Sequence, residues 1–499
     1  MADEFDYVIV GGGSAGAVLA AWLAEDAGVS VCLLEAGPSD EGKPEILELP
    51  RWAELLQSEY DYDYAIEPQE RGNSDIRHSR ARVLGGCSSH NICQAWRAPD
   101  YDLRAWESAG AAGWGPEGTR RYYDRVLERT GLEHDSPDNN AGAAFIEACK
   151  QAGYPEHTWD ADGGREGTGW VPVNAKGKLR RSSSVSYLHP LSGLPRNLEV
   201  RTEVQALRIL LDEEGDATGV ETSGGEVSAR REVIVCAGVF DSAKLLLLSG
   251  IGPAGRLREL GIQVRADLPV GEHLIDHPEG VVIYRTTRPI RQPSTTWCDA
   301  VLLAKAPESE SEGPDLMLWF FSGHFEEFTT KAGEVDEMTA FSLGPDVTHP
   351  RSEGTVTLRS ADPADPPRID PRYFTDPDGY DERTVLEGIK LARRIAEQPA
   401  LADWIERELQ PGPEVTSDDE LMAYARTTAY TAFHPAGTCK MGAADDPRAV
   451  VDPELRVRGV RRLRVADASI IPSMIGVNIN ITCMMIGEKC ADLVRGSSN

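Results

Sequence analysis

The sequence predicts a composite α/β protein with two separate sheets, and three observations carry that prediction. The first 37 residues read as strand, glycine-rich turn, helix and strand in succession. Several β-prone runs between residues 281 and 359 would form a second sheet. Helical patterns with one apolar face cover residues 381–397, 400–408 and 418–427. With 499 residues, the chain is also too long for one simple hydrophobic core.

The glycine-rich turn near the N-terminus predicts a dinucleotide site. It follows a short apolar strand at residues 6–10, and Gly11, Gly13 and Gly16 fit the pattern G-x-G-x-x-G. Glu35 ends the next predicted strand, about 20 residues further on, where this fingerprint places an acid for the ribose. The glycines permit a tight turn, close approach of a pyrophosphate and close packing of helix on strand. An ordinary strand–helix–strand unit is the alternative, and the fingerprint does not choose between NAD and FAD.

Composition excludes several classes of partner. The net charge of −30 argues against nucleic acid and against an anionic membrane surface. No apolar run reaches the roughly 18 residues of a membrane span, so none is expected. The first strand begins within six residues of Met1, which leaves no room for a signal peptide. Nine cysteines without paired metal spacing predict free thiols, no metal site and a reducing compartment, by default the cytoplasm.

A long stretch after Gly37, punctuated by proline and glycine, is predicted to be an extended excursion that carries Trp52 and Tyr62. It runs into the segment GGCSSHN, from Gly85 to Asn91. The glycines and small polar residues of this segment permit the backbone to approach a planar ligand closely.

Five motifs follow one another along the chain: the glycine-rich turn, RVLGGCSSHN from Arg82, GVFDSAKLLLLSGIGP from Gly238, FHPAGTCKMG from Phe433 and VADASIIPSMIGVNINIT from Val465. In all five, and over essentially its whole length, the sequence resembles the glucose–methanol–choline family of flavin oxidoreductases. The resemblance implies FAD as the cofactor, which answers the question that the fingerprint leaves open.

The resemblance also implies a discontinuous domain organisation. A Rossmann-like FAD-binding domain would comprise residues 1–155, 195–282 and 430–499. A substrate-binding domain with an antiparallel sheet flanked by helices would comprise residues 156–194 and 283–429. The family often dimerises, so a homodimer is a candidate assembly.

Catalytic and cofactor-binding residues carry over from the family by position. His434 matches the base that takes the hydroxyl proton, a task that suits an imidazole titrating near neutral pH. Asn478 matches its partner, and an amide cannot itself act as a base. His90 matches a histidine bonded covalently to the flavin in choline-oxidising members; a non-covalent histidine beside the ring is the alternative. The cofactor-binding residues implied are Gly11, Gly13, Ser14, Ala15, Gly16, Glu35, Tyr62, Gly86, Ser88, Ser89, His90, Asn91, Ile92, Val204 and Asp467.

The substrate pocket implied by the resemblance recognises a quaternary ammonium group. Glu279 matches the carboxylate and Trp52 one ring of an aromatic cage, which holds a cation by cation–π attraction. A salt bridge to an arginine is the alternative role for Glu279. The substrate-binding residues implied are Trp52, Glu279, Trp297, Cys298, Trp319, Ala432 and Phe433.

Five positions depart from that pocket, the mildest being Phe433, which stands where a tyrosine is expected. Trp319 stands where a histidine is expected, and Cys298 where a cage tryptophan is expected, with its neighbour Trp297 as a substitute. Ile92 replaces a small hydroxyl residue. Ala432 replaces a larger branched residue thought to guide oxygen, so weaker reactivity with oxygen is expected.

The predicted function is FAD-dependent oxidation of a primary alcohol to the aldehyde, and onward to the acid, by hydride transfer. Choline or another amino or quaternary alcohol is the expected substrate, and oxygen or another acceptor takes the electrons. Trp319 and Ile92 favour an alternative, an acceptor-linked dehydrogenase of neutral or aromatic alcohols. Two further alternatives are a redox-silent FAD lyase, which the family includes, and a non-catalytic FAD-binding protein.

Overall fold

The computed structural model describes residues 3–134, 139–191, 193, 195–290, 296–307, 309–323 and 339–496. Its α-helices span Gly16–Leu23, Pro44–Leu47, Asp100–Ser108, Pro116–Thr130, Asn140–Gln151, Gly238–Leu248, Ala254–Glu259, Tyr380–Ala396, Pro399–Ala402, Asp418–Thr428 and Asn480–Gly496. Short 3₁₀ or π turns cover Leu49–Leu55, Gly86–Ser89, Ser184–Leu188 and Ala468–Ile470. Within this part of the chain, no helix is long and apolar enough to cross a membrane.

The first sheet joins strands from both ends of the chain. Its spatial order is Leu198–Arg201, Val31–Leu34, Glu4–Val10, Gly225–Val235, Ala217–Thr222 and Ala206–Leu211, and Leu463–Val465 also pairs with Gly225–Val235. Ala217–Thr222 is antiparallel to both of its neighbours, and the other pairings are parallel. Helices Gly16–Leu23 and Asn480–Gly496 pack against each other beside this sheet. The glycine turn therefore sits between a buried strand and a buried helix, as predicted.

The second sheet is antiparallel throughout. Its order is Ile405–Gln410, Val282–Thr286, Ala340–Val347, Leu316–Phe321, Ala300–Ala304 and Gly167–Trp170, and Pro278–Glu279 pairs with both Ala340–Val347 and Tyr430–Thr431. Every one of these pairings is antiparallel. Helices Asn140–Gln151 and Tyr380–Ala396 pack on this sheet. The predicted fold class, a Rossmann-like unit with an antiparallel sheet flanked by helices, is confirmed.

Short two-stranded ribbons complete the described strands. They are Tyr64–Ala65 with Arg77–His78, Glu133–His134 with Pro172–Val173, Ala175–Lys176 with Leu179–Arg180, and Thr355–Thr357 with Arg368–Asp370.

The predicted helix over residues 400–408 is wrong. The chain leaves a one-turn helix at Ala402 and continues as the edge strand Ile405–Gln410, which pairs with Val282–Thr286. Glu408 on this strand is bound by Arg393, with 2.6 Å between Oε1 and Nη2. Pairing with a distant strand therefore overrides the local helical pattern.

Candidate active site

Both sheets contribute to one large cavity. Val10, Leu34 and Cys236 line it from the carboxyl ends of parallel strands in the first sheet, and Glu279 and Trp319 line it from the second. Ligands of α/β proteins typically bind beyond the carboxyl ends of parallel strands. The cavity encloses about 2340 Å³ of atom-free space, including its solvent-filled mouth. Its lining reaches from Gly11 and Glu35 to Glu279 and Trp319, so one cavity spans the predicted cofactor-binding and substrate-binding residues.

The glycine-rich turn forms one end of this cavity with no side chain in the way. Gly11 has a φ of +100°, and a Cβ on Gly16 would overlap the carbonyl oxygen of Gly11. A Cβ on Gly86 would lie 2.6 Å from the Cα of Gly13, so the GGCSSHN segment touches the turn directly. These contacts leave a bare backbone cradle, which fits the pyrophosphate of a dinucleotide.

Glu35 lies at the edge of the cradle as the fingerprint predicts. Its Oε2 accepts a hydrogen bond from the amide of Gly12 at 2.9 Å, and its Oε1 accepts one from Gly37 at 2.8 Å. Burial raises the pKa of Glu35 to about 7, although these hydrogen bonds oppose that rise. The carboxyl lines the cavity and keeps further lone pairs for a ribose hydroxyl.

Most predicted site residues line the cavity. They are Gly11, Gly13, Ser14, Ala15, Glu35, Trp52, Tyr62, Gly86, His90, Asn91, Ile92, Val204, Glu279, Cys298, Trp319, Ala432, Phe433, His434, Asp467 and Asn478.

Four predicted residues lie elsewhere. Gly16 packs under the turn, and Ser88 and Ser89 donate to the backbone carbonyls of Gly85 and Leu84, so these side chains hold the loop together. Trp297 packs against Phe321, with ring centroids 6.2 Å apart, and leaves its neighbour Cys298 to line the cavity.

His434 and Asn478 meet as the sequence predicts. Asn478 Nδ2 lies 3.1 Å from His434 Nε2 and 3.0 Å from Gln94 Oε1, so the amide donates to both. Asn478 reaches this position from the turn that precedes the last helix, and His434 from the loop after Tyr430–Thr431. The pair therefore joins the C-terminal segment to the second sheet.

A second histidine fixes the tautomer of His434. His277 Nε2 lies 2.9 Å from the carbonyl oxygen of Thr348, which only accepts, so this nitrogen carries a proton. Burial lowers the pKa of His277 to about 4, so the ring is neutral and its Nδ1 is an acceptor. The 2.9 Å contact between the two Nδ1 atoms then requires His434 to donate from Nδ1. The lone pair of His434 consequently sits on Nε2, beside Asn478.

The charges around His434 favour a neutral base. Burial, assisted by His277, holds the pKa of His434 well below its usual range. Burial alone would raise the pKa of Asp276, but the hydrogen bond and charge of His78, with hydrogen bonds from Thr431 and Tyr373, lower it to about 2. This carboxylate accepts the backbone N–H of His434 at 3.1 Å. The ring is thus a free base next to a fixed negative charge.

His90 lies on the far side of the GGCSSHN segment from the glycine turn. It is 6 % exposed, and its Nε2 lies 3.1 Å from the carbonyl oxygen of Leu55. Burial lowers its pKa to about 4, which keeps a lone pair on the ring at neutral pH.

The substrate end of the cavity combines aromatic rings with one acid, Glu279. Trp52, Trp319 and Phe433 line it with aromatic rings. Burial raises the pKa of Glu279 to about 8. The indole of Trp319 donates to Oδ2 of Asp346 at 2.7 Å, which fixes the ring against the second sheet.

Sequence reasoning missed several residues of the site. Asp276 and His277 stand in the DHPEGVV segment that supplies Glu279, so the motif itself held that signal. Asp346 is a single acid within the apolar strand Ala340–Val347, a pattern that marks a buried charge. Gln94 carries no signal in the sequence beyond its nearness to the GGCSSHN segment.

The chain belongs to the GMC oxidoreductase family. The N-terminal part of that family matches residues 5–279, and the C-terminal part matches residues 350–487. The glycine cradle and the buried Glu35 at its edge fit FAD, the cofactor of this family, and the chain is an FAD-dependent oxidoreductase acting on CH–OH donors.

Two proteins of known name and one solved structure are similar to nearly the whole chain. The chain is 47% identical to the choline oxidase of Arthrobacter globiformis, over 99% of this chain and 95% of that protein. It is 37% identical to the oxygen-dependent choline dehydrogenase of Sinorhizobium medicae, over 99% of this chain and 96% of that protein. Among solved structures, pyridoxine 4-oxidase from Mesorbium loti superposes with a TM-score of 0.90 at 29% identity, covering 98% of both chains.

Proposed function

We propose that this oxidoreductase converts a cationic primary alcohol, choline or a related amino alcohol, to the aldehyde and onward through its hydrate to the acid. The observation that carries the proposal is Glu279, a partly buried residue whose carboxyl lines the cavity and has no basic partner among the described residues. A buried carboxylate is costly unless it is paired, and a cationic ligand would supply the missing charge. The names of the two relatives with matching full-length sequences support the same substrate class.

Aromatic rings around Glu279 strengthen the argument. Trp52 is 8 % exposed and Trp319 is 5 % exposed, and both face the cavity that Glu279 lines. Rings in a desolvated pocket attract an ammonium group by about 2 kcal/mol. One carboxyl and several rings therefore suit a monocation with methyl substituents.

The chemistry follows from the positions of three side chains. Bound FAD supplies the two-electron acceptor for the hydride of the alcohol carbon. His434 takes the hydroxyl proton on Nε2, the nitrogen that carries its lone pair. In the free enzyme one Nδ2 hydrogen of Asn478 points at that nitrogen, 3.1 Å away, and when the alcohol takes its place beside Nε2 this hydrogen is donated to the alcohol oxygen, where negative charge develops. The Asp276 carboxylate stabilises the imidazolium that results.

The experiment compares choline with 3,3-dimethylbutan-1-ol, which has the same shape but no charge. Anaerobic stopped-flow mixing measures how fast each alcohol bleaches the flavin. We expect choline to be favoured by at least about tenfold in the wild type, and Glu279→Gln to remove most of that preference, because a hydrogen bond or contact to a charged group contributes about 1.5–3 kcal/mol. Equal rates for the two alcohols in the wild type would contradict a cationic substrate.

A second candidate is a dehydrogenase of neutral or aromatic alcohols. One observation favours it: with a pKa of about 8, Glu279 is largely uncharged at pH 7, and the rings of Trp52, Trp319 and Phe433 line the same cavity. Faster bleaching by benzyl alcohol than by any amino alcohol would select this candidate.

Molecular oxygen is the proposed electron acceptor, and the name of the Sinorhizobium relative supports it. Ala432 lines the cavity and leaves space where a larger residue would guide oxygen. Ala432→Val should therefore accelerate reoxidation of the bleached enzyme when it is mixed with air-saturated buffer. An unchanged rate would remove Ala432 from this role.

A covalent bond between His90 and the flavin is part of the proposal. The buried, neutral ring at the cavity wall supports it. Acid precipitation should leave the flavin on the polypeptide, and the peptide containing His90 should carry its mass. Yellow colour in the supernatant would contradict the bond, and His90→Asn is the matched control that should release flavin.

Three broader proposals complete the description. The two sheets support the division into domains. All strands of the first sheet lie within residues 1–155, 195–282 and 430–499, the three stretches assigned to the FAD-binding domain. A cytoplasmic location is supported by nine cysteines that are all free. A homodimer is proposed because members of the family often dimerise, and sedimentation of the holoenzyme tests this proposal.

A further inference from the structure

Beneath the substrate end of the cavity lies a second carboxyl, Asp346. We propose that Asp346 is a positioning residue for substrate charge: its protonated carboxyl donates a hydrogen bond to the Glu279 carboxylate, and the pair releases one proton when a cation binds. This inference rests on the proposed function, because it assumes that Glu279 faces a cationic alcohol.

Strand pairing puts the two acids side by side. Glu279 and Asp346 are directly opposite each other in the antiparallel pair formed by Pro278–Glu279 and Ala340–Val347. Side chains of directly opposed residues project from the same face of a sheet, with Cβ atoms about 4.5–5.5 Å apart. The register of the two strands therefore places the two carboxyls close enough to interact.

A glycine makes room for this arrangement. Gly344 lies two residues before Asp346 on the same strand face, and a Cβ on Gly344 would overlap Oε1 of Glu279. Trp319 lies opposite Gly344 on the neighbouring strand and donates to Oδ2 of Asp346 at 2.7 Å. The indole holds one oxygen of Asp346 and leaves the other, Oδ1, without a partner among the described residues.

No positive charge compensates the pair. Among the described residues, neither carboxyl forms an ion pair with lysine, arginine or histidine, and Asp346 is only 1 % exposed. The other titratable groups that face them are Cys298 and Asp276, which bring no positive charge. Two carboxyls at opposed positions of a strand pair, with no positive charge beside them, disfavour each other's ionisation, so at least one of them keeps its proton.

The protonation behaviour agrees with the geometry. Burial raises the pKa of Glu279 to about 8, and burial with the nearby Glu279 charge raises the pKa of Asp346 well above its usual range. In the free enzyme the pair therefore holds more protons at pH 7 than two exposed carboxyls would. A bound monocation stabilises ionised Glu279, one proton leaves to solvent, and the proton on Asp346 stays to bond Glu279.

Calorimetry on the wild-type holoenzyme tests the proton balance directly. Tetramethylammonium chloride, with sodium chloride as control, is titrated at pH 7 in two buffers of different ionisation enthalpy. We expect about one proton released per cation bound, and a release that disappears above pH 9. Binding without proton release overturns this inference and leaves the cationic substrate intact. No binding at all, together with bleaching by neutral alcohols, overturns the proposed function itself.

Two variants separate positioning from a structural role. Asp346→Asn keeps a donor, because its amide can accept from Trp319 and donate to Glu279. This variant should keep the affinity for tetramethylammonium, and the pH midpoint of that binding should stay near 8. Asp346→Leu removes the donor and should weaken tetramethylammonium binding at pH 7 by about tenfold or more, the effect expected for a hydrogen bond to a charged group, with the midpoint moved to higher pH. An identical pH profile in the leucine variant overturns the inference.

Discussion

Replacing His277 with leucine tests whether the tautomer of His434 governs proton abstraction. The substitution removes the acceptor that lies 2.9 Å from Nδ1 of His434 and leaves that N–H buried without a partner. His434 is then free to move its proton to Nε2, the nitrogen that must accept from the alcohol. The variant should bind FAD normally and reduce it slowly.

The magnitude follows from the cost of the orphaned group. An unsatisfied buried donor costs about 1–3 kcal/mol. Each 1.4 kcal/mol changes a population or rate about tenfold. The productive tautomer, and with it the rate of flavin reduction, should therefore fall by roughly 5- to 150-fold.

The assay is anaerobic stopped-flow bleaching of the flavin at saturating alcohol, with the flavin content of each variant measured first. His277→Asn is the matched control, since its amide oxygen can accept from Nδ1 of His434 at the place where the imidazole nitrogen stood. It should keep most of the rate that leucine loses. A leucine variant that reduces flavin as fast as the wild type would refute the assignment of the lone pair to Nε2.

Three further predictions concern the cavity. The kcat/KM for a cationic alcohol should rise with pH and level off above about 8, because Glu279 must lose its proton to hold the cation and its raised pKa delays that loss. A neutral alcohol of the same shape is the control and should not show this rise. A flat pH profile for both alcohols would contradict the prediction. Gly344→Ala should displace the Glu279 carboxyl and weaken cation binding about tenfold with flavin content unchanged, measured by calorimetry. Gly86→Ala should lower flavin content, read from the absorbance of the purified protein, because its Cβ would lie 2.6 Å from Gly13 and its φ is +54°; full occupancy would show that the loop can shift.

Local patterns predicted the parts of the structure that local interactions determine. The glycine turn and Glu35 lie within about 30 residues of one another, so spacing alone indicated their geometry. His434 and Asn478 were assigned by position in family motifs, and the structure brings them within 3.1 Å.

Contacts between distant segments could not be predicted in this way. His277 meets His434 across 157 residues, and Asp346 meets Glu279 only through strand register. The same limitation explains the wrong helix at 400–408, because its pairing partner Val282–Thr286 lies more than a hundred residues earlier. The sequence predicts both Trp297 and Cys298 beside the substrate; Cys298 lines the cavity, whereas Trp297, which has a φ of +64°, is not part of its lining.

The order in which the ribosome releases the chain has a consequence for how the cofactor is acquired. The first strand, Glu4–Val10, emerges early, but Leu463–Val465 and the helix Asn480–Gly496, which packs against the helix behind the glycine turn, emerge last. At about 5–20 residues per second, roughly 20 to 90 seconds separate the two ends. Because Asp467 and Asn478 line the cavity, a nascent chain has no closed site for FAD. We therefore expect the complete site for FAD to form only after residue 478 has been synthesised, and a chain truncated before residue 463 to retain less flavin than the full chain.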